Sequence, residues 1–191
     1  MDHSILSFLA NRRSVKPDKL LAPGPDPEQL AAILKIATRV PDHKKLAPWR
    51  FIAFEGDARA EVGEVFAKAC VAEEKQPPSD VRLDMERARF MRAPFVLGVI
   101  SQIKPRPGAP EWEQILSAGA ACFSVCLAAN AMGFGTSWIT EWVAYSPTVR
   151  SALQLGENER VAGFIHIGTP AETPSDRDRP DPTQLLTRWG A

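Results

Sequence analysis

The sequence predicts a mixed α+β domain built around one buried helix, and three observations lead to that reading. The stretch from Gln114 to Thr140 holds no charged residue, in a chain where 24% of residues are charged. Four short apolar runs, at residues 50–55, 93–100, 134–140 and 160–168, have the length and side-chain content of strands. Between them lie amphipathic segments with capping residues at their starts, the pattern of surface helices.

The uncharged stretch is the organising element. Its helical part is crowded with small residues, from Ser117 and Ala118 through Cys122 and Cys126 to Ala131, and its large apolar residues are spread all around the helix. A helix that is apolar all round is a core helix or a membrane span, and about 20 apolar residues suffice for a span. Gln114, Ser117, Ser124 and Asn130 interrupt this run, its flanks (Glu111, Glu113, Glu141) are acidic, and Gly133 and Gly135 end the helix early. The reading is a core helix that other backbones approach closely.

The whole chain, 191 residues, suits one domain with a real core. Lys plus Arg is 23 and Asp plus Glu is 23, so no net field draws nucleic acid or an acidic membrane, and neither is expected as a partner. Three cysteines, two of them one turn apart on the central helix, read as small hydrophobes rather than a disulfide framework. With no signal peptide pattern at the start, the expected setting is a soluble protein of a reducing compartment, the cytoplasm.

Taken in order, residues 2–10 make a short amphipathic helix with Ile5, Leu6, Phe8 and Leu9. It ends at Asn11-Arg12-Arg13-Ser14. Paired arginines and a serine at a loop mouth form an anion cradle; the plainer reading is a solvated face. After a proline-punctuated loop, Asp26 caps a helix with Pro27 at its first position and Gln29 closing a capping box; Leu30, Ile33, Leu34 and Ala37 supply its apolar face. That helix exits into a loop between Pro41 and Pro48 that gathers Arg39, His43, Lys44, Lys45 and Trp49. Either it is a basic surface turn anchored by Trp49, or it is held rigid to present Arg39 and His43 to a ligand.

Residues 50–55 alternate as a strand and stop at Gly56-Asp57. A helix over 58–75 turns Val62, Val65, Phe66 and Ala69 inward. After Pro77-Pro78, helix resumes from Asp80 to Met91, with Arg82, Asp84, Glu86, Arg87 and Arg89 on a solvated face. Residues 93–100 are a buried strand, and a surface loop over 104–110 leads to the central helix. Beyond it, 134–140 is a strand opened by glycines, Ser146-Pro147 starts a short helix, and 160–168 is a further buried strand. The segment from Thr169 onward is rich in Pro, Asp and Arg, and its last apolar cluster, Leu185, Leu186 and Trp189, needs a surface to bury against.

No Cys/His cluster has metal-ligand spacing, and no GxSxG elbow, Walker loop or strand-borne GxGxxG is present. No metal ligand and no catalytic side chain is assigned. A bound organic cofactor, which brings its own reactivity, fits a chain so thin in catalytic groups.

Four segments together resemble the nitroreductase superfamily of FMN enzymes, in its short, YdjA-like branch. They are Asn11-Arg12-Arg13-Ser14, Pro41-Asp42-His43 through Pro48-Trp49, the small-residue helix ending Met132-Gly133-Phe134-Gly135 with Trp138, and Val161 through Pro170. The resemblance implies an α/β/α sandwich with a mostly antiparallel sheet, forming an intertwined homodimer with FMN at the subunit interface. It implies an FMN-binding domain over 1–170 and an extension, 171–191, that packs on the partner subunit. By position, Arg12, Arg13 and Ser14 hold the FMN phosphate and ribityl chain, with Arg179 a further phosphate candidate. Arg39 and His43 come from the opposite subunit. Trp138, Ile139 and Thr140 line the isoalloxazine. Ala128, Ala129, Asn130, Ala131, Met132 and Gly133 meet the nicotinamide nucleotide. Ile139 departs from the branch, where a polar or basic residue often stands. The implied activity passes hydride from NAD(P)H through flavin N5 to an electron-poor acceptor such as a nitroaromatic or quinone. The alternative on the same residues is an FMN store or redox sensor without efficient turnover.

Overall fold

A computed structural model describes residues 3–190. Met1, Asp2 and Ala191, at the ends of the expected segments, lie outside the described residues. The elements in chain order are α1 (His3–Asn11), β1 (Leu20–Leu21), α2 (Pro27–Ala37), β2 (Trp49–Phe54), α3 (Ala58–Glu73), α4 (Asp80–Arg87), β3 (Phe95–Gln102), α5 (Glu111–Ala131), β4 (Gly135–Ile139), α6 (Pro147–Ala152) and β5 (Glu159–Pro170). Every strand pairing is antiparallel among the described residues: β2 with β3, β3 with β5, and β5 also with β4 and β1. The longest strand, β5, is the hub of the sheet.

Alternation along the strands builds two cores. Phe95, Leu97 and Val99 of β3, with Ile165 and Ile167 of β5, meet Ile33 and Ala37 of α2 and the small residues of α5. Val96 and Phe164 face the other way, against Val62, Phe66 and Ala69 of α3 and Val149 of α6. The result is a helix–sheet–helix sandwich. On its second face Phe90 meets Phe66 at 4.8 Å, Phe164 at 4.9 Å and Phe54 at 5.1 Å, each edge to face, the arrangement that ring quadrupoles favour.

The small residues of α5 explain its seat. Ala118, Ala121, Cys122, Val125 and Ala129 are fully closed off, so the helix axis comes close to the sheet. By length and composition α5 could cross a membrane, but half of it packs on β3, β4 and β5 of its own chain. Its larger residues point away: Trp112, Ile115, Leu116 and Phe123 are exposed, as are Ile5, Leu6 and Leu9 of α1. All three cysteines are free and buried, and burial pushes the Cys122 thiol up.

Local chemistry sets the boundaries. Asp26 Oδ1 accepts from the Gln29 amide at 2.8 Å, and Gln29 Oε1 accepts from the Asp26 amide at 3.0 Å, the capping box expected from sequence. Ser146 Oγ caps α6 through the Val149 amide at 3.0 Å. Two expectations need correction. The segment 17–27 is not only loop, because Leu20 and Leu21 pair with Pro170 and Thr169. The charges after Pro78 are not all on a solvated face. Helix α4 stops at Arg87, and a tight turn at Phe90–Arg92 folds Arg89 back over Glu86, which is fully buried. Arg89 grips both Glu86 oxygens at 2.6 and 2.7 Å, Arg82 adds a contact at 3.0 Å, and Trp142 Nε1 donates at 3.1 Å.

His166 of β5 is fully buried beside Phe90. Burial first, then the Arg92 charge, lowers its pKa from 6.5 to about 4. Between those two values the unfolded chain binds a proton that the folded one refuses. Stability is therefore full above the higher value, falls as pH drops through the window by about 3 kcal/mol, and levels off below it. Urea titrations near neutral and near pH 4 should show this loss in the parent and a smaller one in His166→Leu. Equal losses would remove His166 from the account.

Candidate active site

Helix α1 ends at Asn11, whose side chain turns back to the Ser7 carbonyl at 2.8 Å. The Val15 amide then bonds to the Thr136 carbonyl at 2.9 Å, pinning the segment to β4. Arg12, Arg13 and Ser14 are held between these two anchors. The Arg12 guanidinium lies over the Phe123 ring, 5.7 Å from its centre. Arg13 donates to the Ser175 carbonyl and lies 3.7 Å from Asp176, which Arg179 approaches at 3.6 Å. The Arg177 amide first, then the Arg179 and Arg13 charges, hold the Asp176 carboxyl below its usual range.

The start of the C-terminal segment thus folds back on its own chain. Arg12, Arg13 and Ser14 line a cleft of about 130 Å³ together with Arg177 and Arg179. A lining this rich in arginine suits an anion, and Arg13 and Arg179 already share the Asp176 carboxylate there. Arg177 escaped the sequence reading; its signal was the Asp-Arg-Asp-Arg alternation before Pro180. A larger cleft of about 330 Å³ adjoins, lined by Phe8, Asn11, Asn130, Phe134 and Gly135 among others. Asn130 donates to the Phe134 carbonyl at 2.8 Å, and its buried Oδ1 accepts from no group among the described residues. Of the neighbouring candidates, Ala128 and Ala129 are closed into the core, whereas Ala131 and Gly133 are exposed and Met132 is partly so.

The segment Trp138–Thr140 leaves β4 beside an irregularity in β5. Val99 pairs with Gly163 and Ile100 with Val161, so Ala162 is an extra residue, a bulge. Trp138 Nε1 donates to the Ala162 carbonyl at 3.2 Å. Its ring occupies the space that a side chain at 163 would fill: a Cβ there would stand 2.0 Å from Nε1. Gly163 is what lets the indole lie against β5. Thr140 Oγ1 is met by the Tyr145 hydroxyl at 3.3 Å.

Glu141 follows with φ 54° and ψ −179°, a region that is essentially glycine's and costs another residue about 1–3 kcal/mol. Arg92 holds its two oxygens at 3.2 and 2.8 Å, and Arg89 adds a contact at 2.7 Å. Burial pushes the Glu141 carboxyl up, but the bonds from Arg92 and Arg89 outweigh it and leave the pKa below its usual value.

Arg39 and His43 lie elsewhere. Asp42 accepts from the Leu46 and Ala47 amides at 2.9 and 2.8 Å, closing a tight turn in which Lys44, Lys45 and Ala47 all have positive φ. Ser117 Oγ, which accepts from Trp49 Nε1 at 3.1 Å, donates to the Pro41 carbonyl at 2.7 Å and ties this loop to α5. His43 Nδ1 meets Glu113 Oε2 at 2.5 Å, near the start of α5. Arg12 stands at Phe123, ten residues further along, a distance of about 15 Å at 1.5 Å per residue. Within one chain, the two halves of the expected site do not meet.

The chain matches the Nitroreductase family over residues 9–169. It is 36% identical over 183 residues to YdjA of Escherichia coli strain K12, whose name proposes NAD(P)H nitroreductase activity; the match covers 95% of this chain and 97% of YdjA. A solved nitroreductase-like family protein from Bacillus cereus has a TM-score of 0.82 at 21% identity, covering 98% of this chain and 96% of the other. A nitroreductase with bound FMN from Bacteroides fragilis has a TM-score of 0.70 at 22% identity, covering 96% and 97%. At such identity these two structures speak for the fold. The family match and the YdjA relationship together span nearly the whole chain, and it belongs to the nitroreductase family of oxidoreductases.

Proposed function

We propose that this protein is an FMN-dependent oxidoreductase that takes reducing equivalents from NAD(P)H and delivers them to an electron-poor acceptor such as a nitroaromatic or quinone. One observation carries the reading: Arg12, Arg13, Arg177 and Arg179 line one small cleft together with Ser14, beside a larger cleft. The fit to FMN extends beyond the phosphate. Asn130 Oδ1 is a buried acceptor without a donor among the described residues, suited to a ribityl hydroxyl. Trp138, Ile139 and Thr140 offer an apolar and hydroxyl-bearing surface to a flat ring system. FMN held there would supply the redox chemistry between NAD(P)H and the acceptor. The side chains bind, orient and exclude water.

The site is completed by a second copy. The exposed stripe Trp112, Leu116 and Phe123 is apolar and needs cover. A two-fold axis crossing α5 near Gly119 sets Glu113 of one copy opposite Val125 of the other, since residues equidistant from the axis meet. His43 and Arg39 of one copy then arrive at the Arg12 end of the other. In this reading residues 1–170 form the body of the FMN domain. The start of the 171–191 extension adds Arg177 and Arg179 to the cleft of its own chain, and its exposed Leu185, Leu186 and Trp189 reach the partner. Buried free cysteines fit the cytoplasm.

Leu116→Arg should turn the dimer into a monomer by light scattering, since it places a charge in the apolar seam; an unchanged dimer would move the interface elsewhere. The functional reading is tested by the visible spectrum of the purified protein with added FMN, followed by NADPH without oxygen. A bound flavin spectrum that bleaches and then recovers with a nitroaromatic is expected. A flavin that NADPH leaves oxidised would favour storage or sensing, and no flavin uptake would overturn the assignment.

A further inference from the structure

We propose that Glu141 is a positioning residue: its carboxylate, clamped by Arg89 and Arg92, holds a strained turn that sets Trp138, Ile139 and Thr140 against the flavin. The inference rests on the reading above that these three residues line the ring.

Three observations carry it. Glu141 stands directly after the lining segment at φ 54°, ψ −179°, where a side chain is disfavoured and glycine is at ease. Its carboxylate takes three contacts from two arginines, at 2.7 to 3.2 Å. Its neighbour Trp142 is tied to the same element, because Trp142 Nε1 donates to Glu86, and Glu86 is gripped by Arg89. Two consecutive residues are thus anchored to the stretch around Phe90–Arg92, with Arg89 shared between the two anchors. A turn needed only to change direction is satisfied by glycine with no clamp. Here a disfavoured conformation is imposed by ion pairs at the exit of the candidate ring site, and Thr140, one residue earlier, is met by Tyr145. The structure over-determines the geometry of this turn, as it does where strain serves placement.

Two variants separate placement from folding. Glu141→Gly removes the carboxylate and the strain together; Glu141→Gln keeps the strain and removes the charge. Both should bind FMN. Glu141→Gly should melt below the parent, because Arg89 and Arg92 lose a shared carboxylate, with part of that loss offset because glycine relieves the backbone. Its kcat with NADPH and a quinone should fall by about tenfold or more, through misplacement of the ring. The visible circular dichroism of bound FMN, which reports how the ring is held, should change in both variants. Arg92→Met should give the same signature, and the Glu141→Gly/Arg92→Met double variant should be no worse than either single one. A purely structural role would lower the melting temperature and leave kcat and flavin dichroism at parental values. That pattern, or additive losses in the double variant, would overturn the proposal. If Glu141→Gln does not fold, Glu141→Gly decides. A parent that takes up no FMN overturns the functional reading itself, and this shows before any variant is compared.

Discussion

Arg12→Ala is expected to weaken FMN binding by about 10- to 100-fold, while the protein melts as before. A charge-assisted hydrogen bond to phosphate contributes about 1.5–3 kcal/mol, which sets that range. The stability half follows from the surroundings. No carboxylate among the described residues lies within ion-pair distance of Arg12, and its guanidinium rests on Phe123. Arg13 is a poorer probe, because it also ties the Ser175 carbonyl and Asp176 to the body of the chain. Titration calorimetry of flavin-free protein with FMN measures the effect. Unchanged affinity would return the arginine cluster to ordinary surface.

Glu86→Ala should be strongly damaging to the fold, at about 3–5 kcal/mol, because it removes a buried carboxylate that pairs with mostly buried Arg89. The Arg89 side chain is only 11% exposed and loses its two shortest contacts to Glu86, and Trp142 loses its acceptor. The control is Glu64→Ala. Glu64 pairs with Arg87 at 3.0 Å, but both side chains are about half exposed, and such pairs contribute about 0–1 kcal/mol. Urea denaturation of both variants gives the comparison. Equal losses would mean that the Glu86 network has no special share in stability.

The elements that local chemistry specifies were legible in the sequence. The Asp26-Pro27-Glu28-Gln29 box marks a helix start by itself, and the small residues of α5 announce a closely approached helix. Ala93 to Ile100 reads as a buried strand, which the structure places between β2 and β5 as Phe95–Gln102. What escaped depends on tertiary partners. Leu20 and Leu21 form a strand because β5 runs on to Pro170, and two residues among prolines carry no periodicity. Glu86 looks like any helical surface glutamate until the turn beyond α4 brings Arg89 over it. The positive φ of Glu141 has no sequence signal, since glycine, the residue that advertises such a turn, is absent. In the candidate site, the sequence singled out Arg12, Arg13 and Ser14, which line one cleft, and passed over Arg177, which lines it with them. The distance between His43 and Arg12 along α5 is a property of the fold, and it gives a physical reason for assigning the two groups to different subunits.

That assignment has a direct measurement. Arg12→Ala and His43→Ala chains, each expected to be a poor reductase alone, are co-expressed with different affinity tags, and the mixed dimer is isolated. If the site is shared across the two-fold axis, one site of each mixed dimer carries both substitutions and the other carries neither, so about half of the parental NADPH-dependent activity returns. A mixed dimer no more active than the average of its two parents would show that His43 serves the flavin site of its own chain, and would contradict the account.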